Sequence, residues 1–430
     1  MRTDAVTQTM QVCLGEQAIP VGTLTYSRQG TRENTSFVYD DTWLESGNRF
    51  EISPDLPPLT RERYFHKAAT RSDSIFHFAI ADTEPDGWGC KVIARDHAKR
   101  RKSGKVGEGA ALTEMDYLLG VDDVGRVGAL RVRNATGEFM RTPGDGERRI
   151  PPLLELTEIV GAAHAVERGT ETAKDLDYLR GRATSLGGMR PKCTVVDNDG
   201  HLAIGKFPSV SDDRAVTKAE ILALKLAAAA GIEAAQGRIV YSDGIPIALI
   251  RRFDRMEAGR IPYLSATSML QASREDEHTY SEIAERILSV SPDSKRDLAE
   301  LWRRIVFNML ITNVDDHLNN HGFLHVGHGQ WRLAPAFDLN PFPDKGRDLK
   351  TWLTEETGPT GKINDAMHAA GYFHLTDEHA IKILREVHGA VSRWRQVARN
   401  VAVGMTIQEL EAFDAAFEHE EEQSAKQWLA

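Results

Sequence analysis

The sequence predicts an α+β protein, with a β-containing N-terminal part and a mostly α-helical C-terminal part. Three observations predict it. Short β-type runs at 22–26, 37–39 and 129–133 are separated by Pro- and Gly-rich turns, one of them Ser53-Pro54-Asp55-Leu56-Pro57-Pro58. Two hairpin signals follow. Runs 193–196 and 202–207 flank Asp197-Asn198-Asp199-Gly200, and runs 238–241 and 245–253 flank Ser242-Asp243-Gly244. Past Arg255 the periodicity turns helical: Leu298, Leu301, Trp302, Ile305, Val306, Met309 and Leu310 fall at i, i+3, i+4, i+7, i+8, i+11 and i+12.

Taken in order, the elements suggest three domains. Residues 1–145 form a β-rich N-terminal subdomain that ends at the linker-like Thr142-Pro143-Gly144-Asp145-Gly146. Residues 146–255 hold both hairpins and an Ala-, Leu- and Lys-rich helix at 215–230, stopped by Gly231. Residues 256–430 form a helical lobe. Its long amphipathic helix delivers the chain directly into Asn313-Val314-Asp315, and a buried helix ending at a polar loop is a rigid mount for reactive groups.

The composition is that of a globular protein, with 41% hydrophobic and 27% charged residues among 430. A net charge of −10 gives no global drive toward nucleic acid or acidic membranes. Cys13, Cys90 and Cys193 make no C-x-x-C pair, so reduced thiols and a cytoplasmic location are expected. No run approaches the roughly 20 apolar residues of a membrane span, and residues 1–20 lack a signal-peptide core. The basic run Lys99-Arg100-Arg101-Lys102, with Lys105, could touch phosphates, but without interleaved aromatic residues it reads first as a solvated helix end. The acidic stretch 418–422 reads as a solvated helix face or a fraying tail.

The chemistry is concentrated in Asn313-Val314-Asp315-Asp316-His317-Leu318-Asn319-Asn320. Asp315 and Asn320 are five apart, the spacing of the catalytic loop of protein kinases, where the Asp takes the hydroxyl proton and the Asn holds Mg²⁺. Asp338, expected on a short strand after Phe337, supplies a second oxygen donor, and Mg²⁺ needs few protein ligands when phosphates and water complete its shell. His317 and His321 lie four apart on a loop without a third ligand, so a role beside phosphates or in packing is expected for His317, not zinc binding. Lys206 ends an apolar strand and needs an anion; nucleotide phosphates and Glu220 on the next helix would serve. Ser185-Leu186-Gly187-Gly188-Met189-Arg190-Pro191-Lys192 offers paired glycines and two cations to phosphate, without being a Walker A loop.

Together these segments resemble the HipA family of bacterial Ser/Thr kinase toxins. The resemblance rests on Ser185-Leu186-Gly187-Gly188 through Lys192, Ile204-Gly205-Lys206-Phe207-Pro208, Arg252-Phe253-Asp254-Arg255, Asn313 to His317 with Asn320, and Ala334-Pro335-Ala336-Phe337-Asp338. It implies a kinase-like two-lobe architecture. Asp315 would be the catalytic base, and Asn320 and Asp338 the Mg²⁺ ligands. ATP would be held by Gly187, Gly188, Met189, Arg190, Pro191, Lys192 and Lys206, by the hinge residues Arg251, Arg252 and Phe253, and by His317, Leu318, Asn319, Asn320, Phe337 and Asp338. Arg251 stands where the family pattern carries an acidic hinge residue. Ser185, with Thr184 as its neighbour, matches the position at which family members autophosphorylate and switch themselves off.

The expected function is therefore transfer of the ATP γ-phosphate to Ser or Thr of a protein, with an aminoacyl-tRNA synthetase as one substrate that the resemblance suggests. A small HipB-like helix-turn-helix antitoxin would be the partner, with DNA reached indirectly through it and no membrane involved. Two alternatives stay open: a small-molecule kinase of the same architecture, and a non-catalytic, antitoxin-bound co-repressor.

Overall fold

The structure is a computed structural model and describes residues 6–57, 60–104, 111–140, 155–179, 188–257, 259–344 and 346–430. Thr184, Ser185, Gly187, Lys105 and the linker-like 142–146 lie outside the described residues. The chain falls into two compact units. The first comprises Met1–Val210, Asp254–Glu275 and Gly327–Gly329; the second comprises Ser211–Phe253, Asp276–Val326 and Gln330–Ala430.

The first unit is built on a five-stranded antiparallel sheet. Its order is Tyr64–His66, Arg32–Tyr39, Ile19–Gln29, Val6–Leu14 and Leu130–Arg133. Alternation along these strands buries Leu24, Tyr26, Phe37 and Tyr39 on one face. The register shifts between Val12 and Cys13, so two successive side chains are both buried where strict alternation would expose one. Gly22 admits no side chain, because a Cβ there would lie 2.3 Å from the Phe37 ring.

The helix Gly87–Lys102 packs in this unit, capped by the Asp86 carboxylate, which accepts from Gly89 N–H at 2.6 Å. The basic run occupies its last turn, where cations suit the helix dipole. Lys99 donates to the Glu171 carbonyl, and Arg100 lies 3.8 Å from Asp96. The hairpin Lys192–Val196 and Leu202–Lys206 also belongs to this unit and turns through Asp197-Asn198-Asp199-Gly200 as the sequence predicts.

The second unit is mostly helical. It begins with the helix Val216–Ala229 and the hairpin Gly237–Ser242 and Ile245–Arg251, in which the strand ends before Arg252 and Phe253. The helix Ser294–Leu310 is the predicted amphipathic one, and all seven of its stripe residues are buried. Around it pack Tyr280–Val290, Ile363–Ala369, Asp377–Val391 and Glu420–Leu429.

The acidic C-terminal stretch is a correction. Glu421 is buried, and its carboxylate accepts the Ile363 N–H at 2.8 Å, capping a neighbouring helix, while Glu420 beside it is exposed. Helical periodicity decides which member of the acidic run turns inward.

Among the described residues no helix is long and apolar enough to cross a membrane.

Candidate active site

In the second unit the helix Ser294–Leu310 ends in a tight reversal. Thr312 takes a left-handed backbone, φ 54°, and Asn313 N–H bonds back to the Asn308 carbonyl at 2.8 Å. Thr312 Oγ1 donates to the Ala416 carbonyl at 2.9 Å, and His419 bonds the Leu310 carbonyl at 3.1 Å, so the end of the helix is held from the C-terminal segment. Asn313 Nδ2 donates to Asn308 Oδ1 at 3.1 Å. The loop is thus fixed before it reaches Asp315.

Asp316 anchors it from below. The side chain is fully buried, and its Oδ2 accepts from Tyr280 Oη at 2.5 Å, Asn308 Nδ2 at 2.7 Å and His321 Nε2 at 2.8 Å. Its own carbonyl accepts from Thr351 Oγ1 at 2.6 Å. Burial pushes the Asp316 carboxyl up, but the His321 charge and the donated hydrogen bonds outweigh it and hold the group below the usual carboxylate range. Burial, reinforced by Asp316, drives the Tyr280 phenol well above its ordinary value.

With Asp316 turned inward, the neighbouring Asp315 turns outward. Its carboxylate is half-exposed, with Lys350 Nζ 3.6 Å away. The turn Leu318–Asn320 then folds Asn320 back: its Nδ2 donates to the Asp315 carbonyl at 3.2 Å, and its N–H to the His317 carbonyl at 2.8 Å. The amide nitrogen being engaged, Asn320 Oδ1 is the atom left to meet a cation. Leu318 is buried, His317 is half-buried and Asn319 is exposed. His321 is committed to Asp316.

Asp338 is not on a strand, contrary to the sequence expectation. The chain makes one parallel bridge, Ala234 to Ala336, and then leaves regular structure. Asp338 adopts φ 56°, a left-handed conformation that Asp tolerates better than most residues. Asn340 Nδ2 donates to both Asp338 Oδ1 and the Asp338 carbonyl at 3.1 Å, and Asn340 N–H approaches Asn313 Oδ1 at 3.4 Å. Asn313 and Asn340 therefore connect the segments that carry Asp315 and Asp338. Phe337 stacks at a tilt on Phe253, ring centroids 5.5 Å apart. Arg251 ends its strand half-buried, and Arg252 is buried.

The first unit holds the other expected group. Lys192 and Lys206 are directly opposed across the hairpin, which concentrates positive charge at one end of it. Lys192 is buried with Nζ 3.1 Å from Asp86 Oδ2, so its nearest anion is a carboxylate of the protein. Burial pushes Asp86 up, and Lys192 opposes that shift. Gly188 takes φ 87° with its Cα hydrogen directed at Lys192: a Cβ there would lie 3.1 Å from Nζ. Pro191 accepts from Phe207 N–H at 3.0 Å, closing the segment onto the strand. Met189 is exposed and Arg190 follows it. In the second unit Glu220, which a lone helical Glu would lead one to expect in solvent, is buried.

Tyr280, Asn308, Lys350 and Asp86 were not foreseen as parts of these assemblies. Asn308 alone carried a signal, as a polar residue inside the apolar run Ile305-Val306-Phe307-Asn308-Met309-Leu310.

Comparison with known proteins decides the family. Residues 184–394 match the HipA-like C-terminal domain, and residues 10–128 match the HipA N-terminal domain. The chain belongs to the HipA family. A solved complex of HipA, HipB and operator DNA from Shewanella oneidensis MR-1 contains a chain of the same fold, with TM-score 0.65 and 16% identity over 98% of this chain and 96% of that one. Among curated proteins, this HipA-family chain is 26% identical over 339 residues, 74% of each chain, to a Sinorhizobium fredii protein named "Putative kinase Y4mE". It is 23% identical over 185 residues, 37% of this chain and 54% of the relative, to a Haemophilus influenzae protein named "Putative kinase".

Proposed function

We propose that this HipA-family chain is a kinase that moves the γ-phosphate of ATP to a Ser or Thr hydroxyl of a protein. The observation that carries the reading is the loop 313–320: Asp316 buried as an anchor, the preceding Asp315 half-exposed beside Lys350, and an Asn folded back through its amide nitrogen. The names of the curated relatives support it.

Asp315 orients the attacking hydroxyl and takes its proton. Asn320 Oδ1 and the Asp338 carboxylate are hard oxygen donors, the type Mg²⁺ prefers, and would hold it. When bound, Mg²⁺ neutralises phosphate charge. Lys206 and the Gly188–Lys192 segment supply charge and backbone N–H groups to the nucleotide phosphates, with Asp86 positioning Lys192. The hinge residues 251–253 meet the adenine.

The partner is a helix-turn-helix antitoxin, in line with the HipB and operator DNA of the structurally similar complex; a net charge of −10 suits DNA contact made through a partner. The site of action is the cytoplasm. Ser185 is the proposed autophosphorylation site. Incubation with Mg-ATP and a cell lysate, followed by phosphosite mass spectrometry, tests the reading. New phosphoserine or phosphothreonine on a protein supports it. Label on a small alcohol alone would favour a small-molecule kinase, and failure to bind Mg-ATP would favour a co-repressor.

A further inference from the structure

Far from Asp315 in sequence, the first unit brings together Asp55, His66 and His77. One ligand atom from each lies within 4.8 Å of the others. Asp55 sits on the proline-rich turn, His66 ends the strand Tyr64–His66, and His77 precedes the helix Phe78–Ala81. Both imidazoles present Nδ1 to the same carboxylate oxygen: His77 at 2.7 Å from Asp55 Oδ2, and His66 at 3.5 Å.

The opposite nitrogens settle the tautomers. His66 Nε2 bonds the Ser74 carbonyl at 3.2 Å, and His77 Nε2 bonds the Tyr64 carbonyl at 3.2 Å. A carbonyl only accepts, so each Nε2 carries the hydrogen. In neutral rings both Nδ1 atoms are then lone pairs, converging on a carboxylate. Three electron-rich atoms facing one another call for a cation among them, either a proton shared between His77 Nδ1 and Asp55 or a metal ion held by all three. Backbone carbonyls holding the remote N–H of each imidazole are also the usual outer-shell support of metal-binding histidines. The cluster is screened from water: His77 is 2% exposed, and the side chains of His66 and Asp55 are 11% and 13% exposed. Ser53 Oγ donates to Asp55 Oδ1, fixing the carboxylate so that Oδ2 faces the rings.

We propose that Asp55, His66 and His77 bind a zinc ion through Oδ2 and the two Nδ1 atoms, with water as the fourth ligand. Two imidazoles and one carboxylate form a donor set suited to Zn²⁺ and poorly suited to Mg²⁺. Tetrahedral ligand atoms about 2.0–2.1 Å from one ion lie roughly 3.3 Å apart, so the Asp55–His66 separation already fits and the Asp55–His77 pair must open by roughly 0.6 Å. The ion would staple the turn at 53–57, the strand Tyr64–His66 and the start of the helix Phe78–Ala81, closing the loop 67–76.

The test uses the full chain, stripped with chelator and then loaded with Zn²⁺ in excess Mg²⁺. Mass spectrometry after gel filtration should find one zinc per chain, and zinc should raise the melting temperature. Folded His66→Gln and Asp55→Asn should each lose the stoichiometric zinc and the thermal shift. X-ray absorption of zinc-loaded wild type, which depends on no variant, should show two imidazole nitrogens. Wild type that elutes zinc-free would overturn the proposal and leave His77 and Asp55 as a proton-sharing pair. Zinc binding unchanged in a folded variant, or an absorption spectrum without imidazole, would overturn it as well.

Discussion

His321 Nε2 lies 2.8 Å from Asp316 Oδ2, and both side chains are buried beneath the loop that presents Asp315. Two adjacent aspartates therefore have opposite surroundings, and their substitutions should separate stability from chemistry. Asp316 is the shared acceptor of three buried donors, and leaving a buried donor unsatisfied costs about 1–3 kcal/mol. Asp316→Ala should lower unfolding stability by that order in urea denaturation. Phosphoryl transfer should fall with it, because Asn308, Tyr280 and His321 lose their common acceptor. A stability within error of wild type would show that Asp316 is not the anchor.

The C-terminal segment should make stability depend on pH. His419 bonds the Leu310 carbonyl, and burial, with Arg347 nearby, lowers its pKa to about 4 from an ordinary value of 6.5. A folded state that keeps this histidine neutral binds fewer protons than the unfolded chain between those values. Its contribution is present above pH 6.5 and is lost as pH falls toward 4. The difference in melting temperature between wild type and His419→Gln should shrink over that window. A constant difference would remove His419 as the titrating group.

Glu421 and Glu420 give a paired control. Glu421→Ala leaves the buried Ile363 N–H without its acceptor, and an unsatisfied buried donor costs about 1–3 kcal/mol. Glu420→Ala, at an exposed position, should stay within about 0.5 kcal/mol of wild type. Equal effects in chemical denaturation would contradict the capping role.

Asp338→Ala should weaken ATP binding in the presence of Mg²⁺ and leave binding without metal nearly unchanged. Calorimetric titration with and without Mg²⁺ reads this directly. If affinity and its metal dependence both persist, Asp338 is a turn residue held by Asn340.

Much of this was legible in the sequence because it is local. Apolar spacing from Leu298 to Leu310 determines which face of that helix is buried, and Asp-Gly turns close both hairpins. The Asp315–Asn320 spacing lies within one loop. What was not legible depends on long-range packing. Tyr280 reaches Asp316 from 36 residues away, and Asp86 meets Lys192 from another part of the first unit. Asp55, His66 and His77 are spaced by eleven and eleven residues, a pattern that no helix or hairpin brings together. The left-handed Asp338 is hidden from the sequence because its neighbours Phe337 and Leu339 are apolar, a pattern that fits a strand and a tight turn equally well.

The central claim is that Asp315 is the base of a phosphoryl transfer, and one comparison tests it most directly: transfer from Mg-ATP to protein by wild type and by Asp315→Asn, with ATP affinity and unfolding stability measured on the same samples. Asp315 is half-exposed, and among the described residues its carboxylate pairs with the exposed Lys350, so stability should stay within about 0.5 kcal/mol. ATP should still bind, and the rate should fall by about 10²–10⁴-fold. A stable variant that still transfers phosphate at the wild-type rate would contradict the assignment.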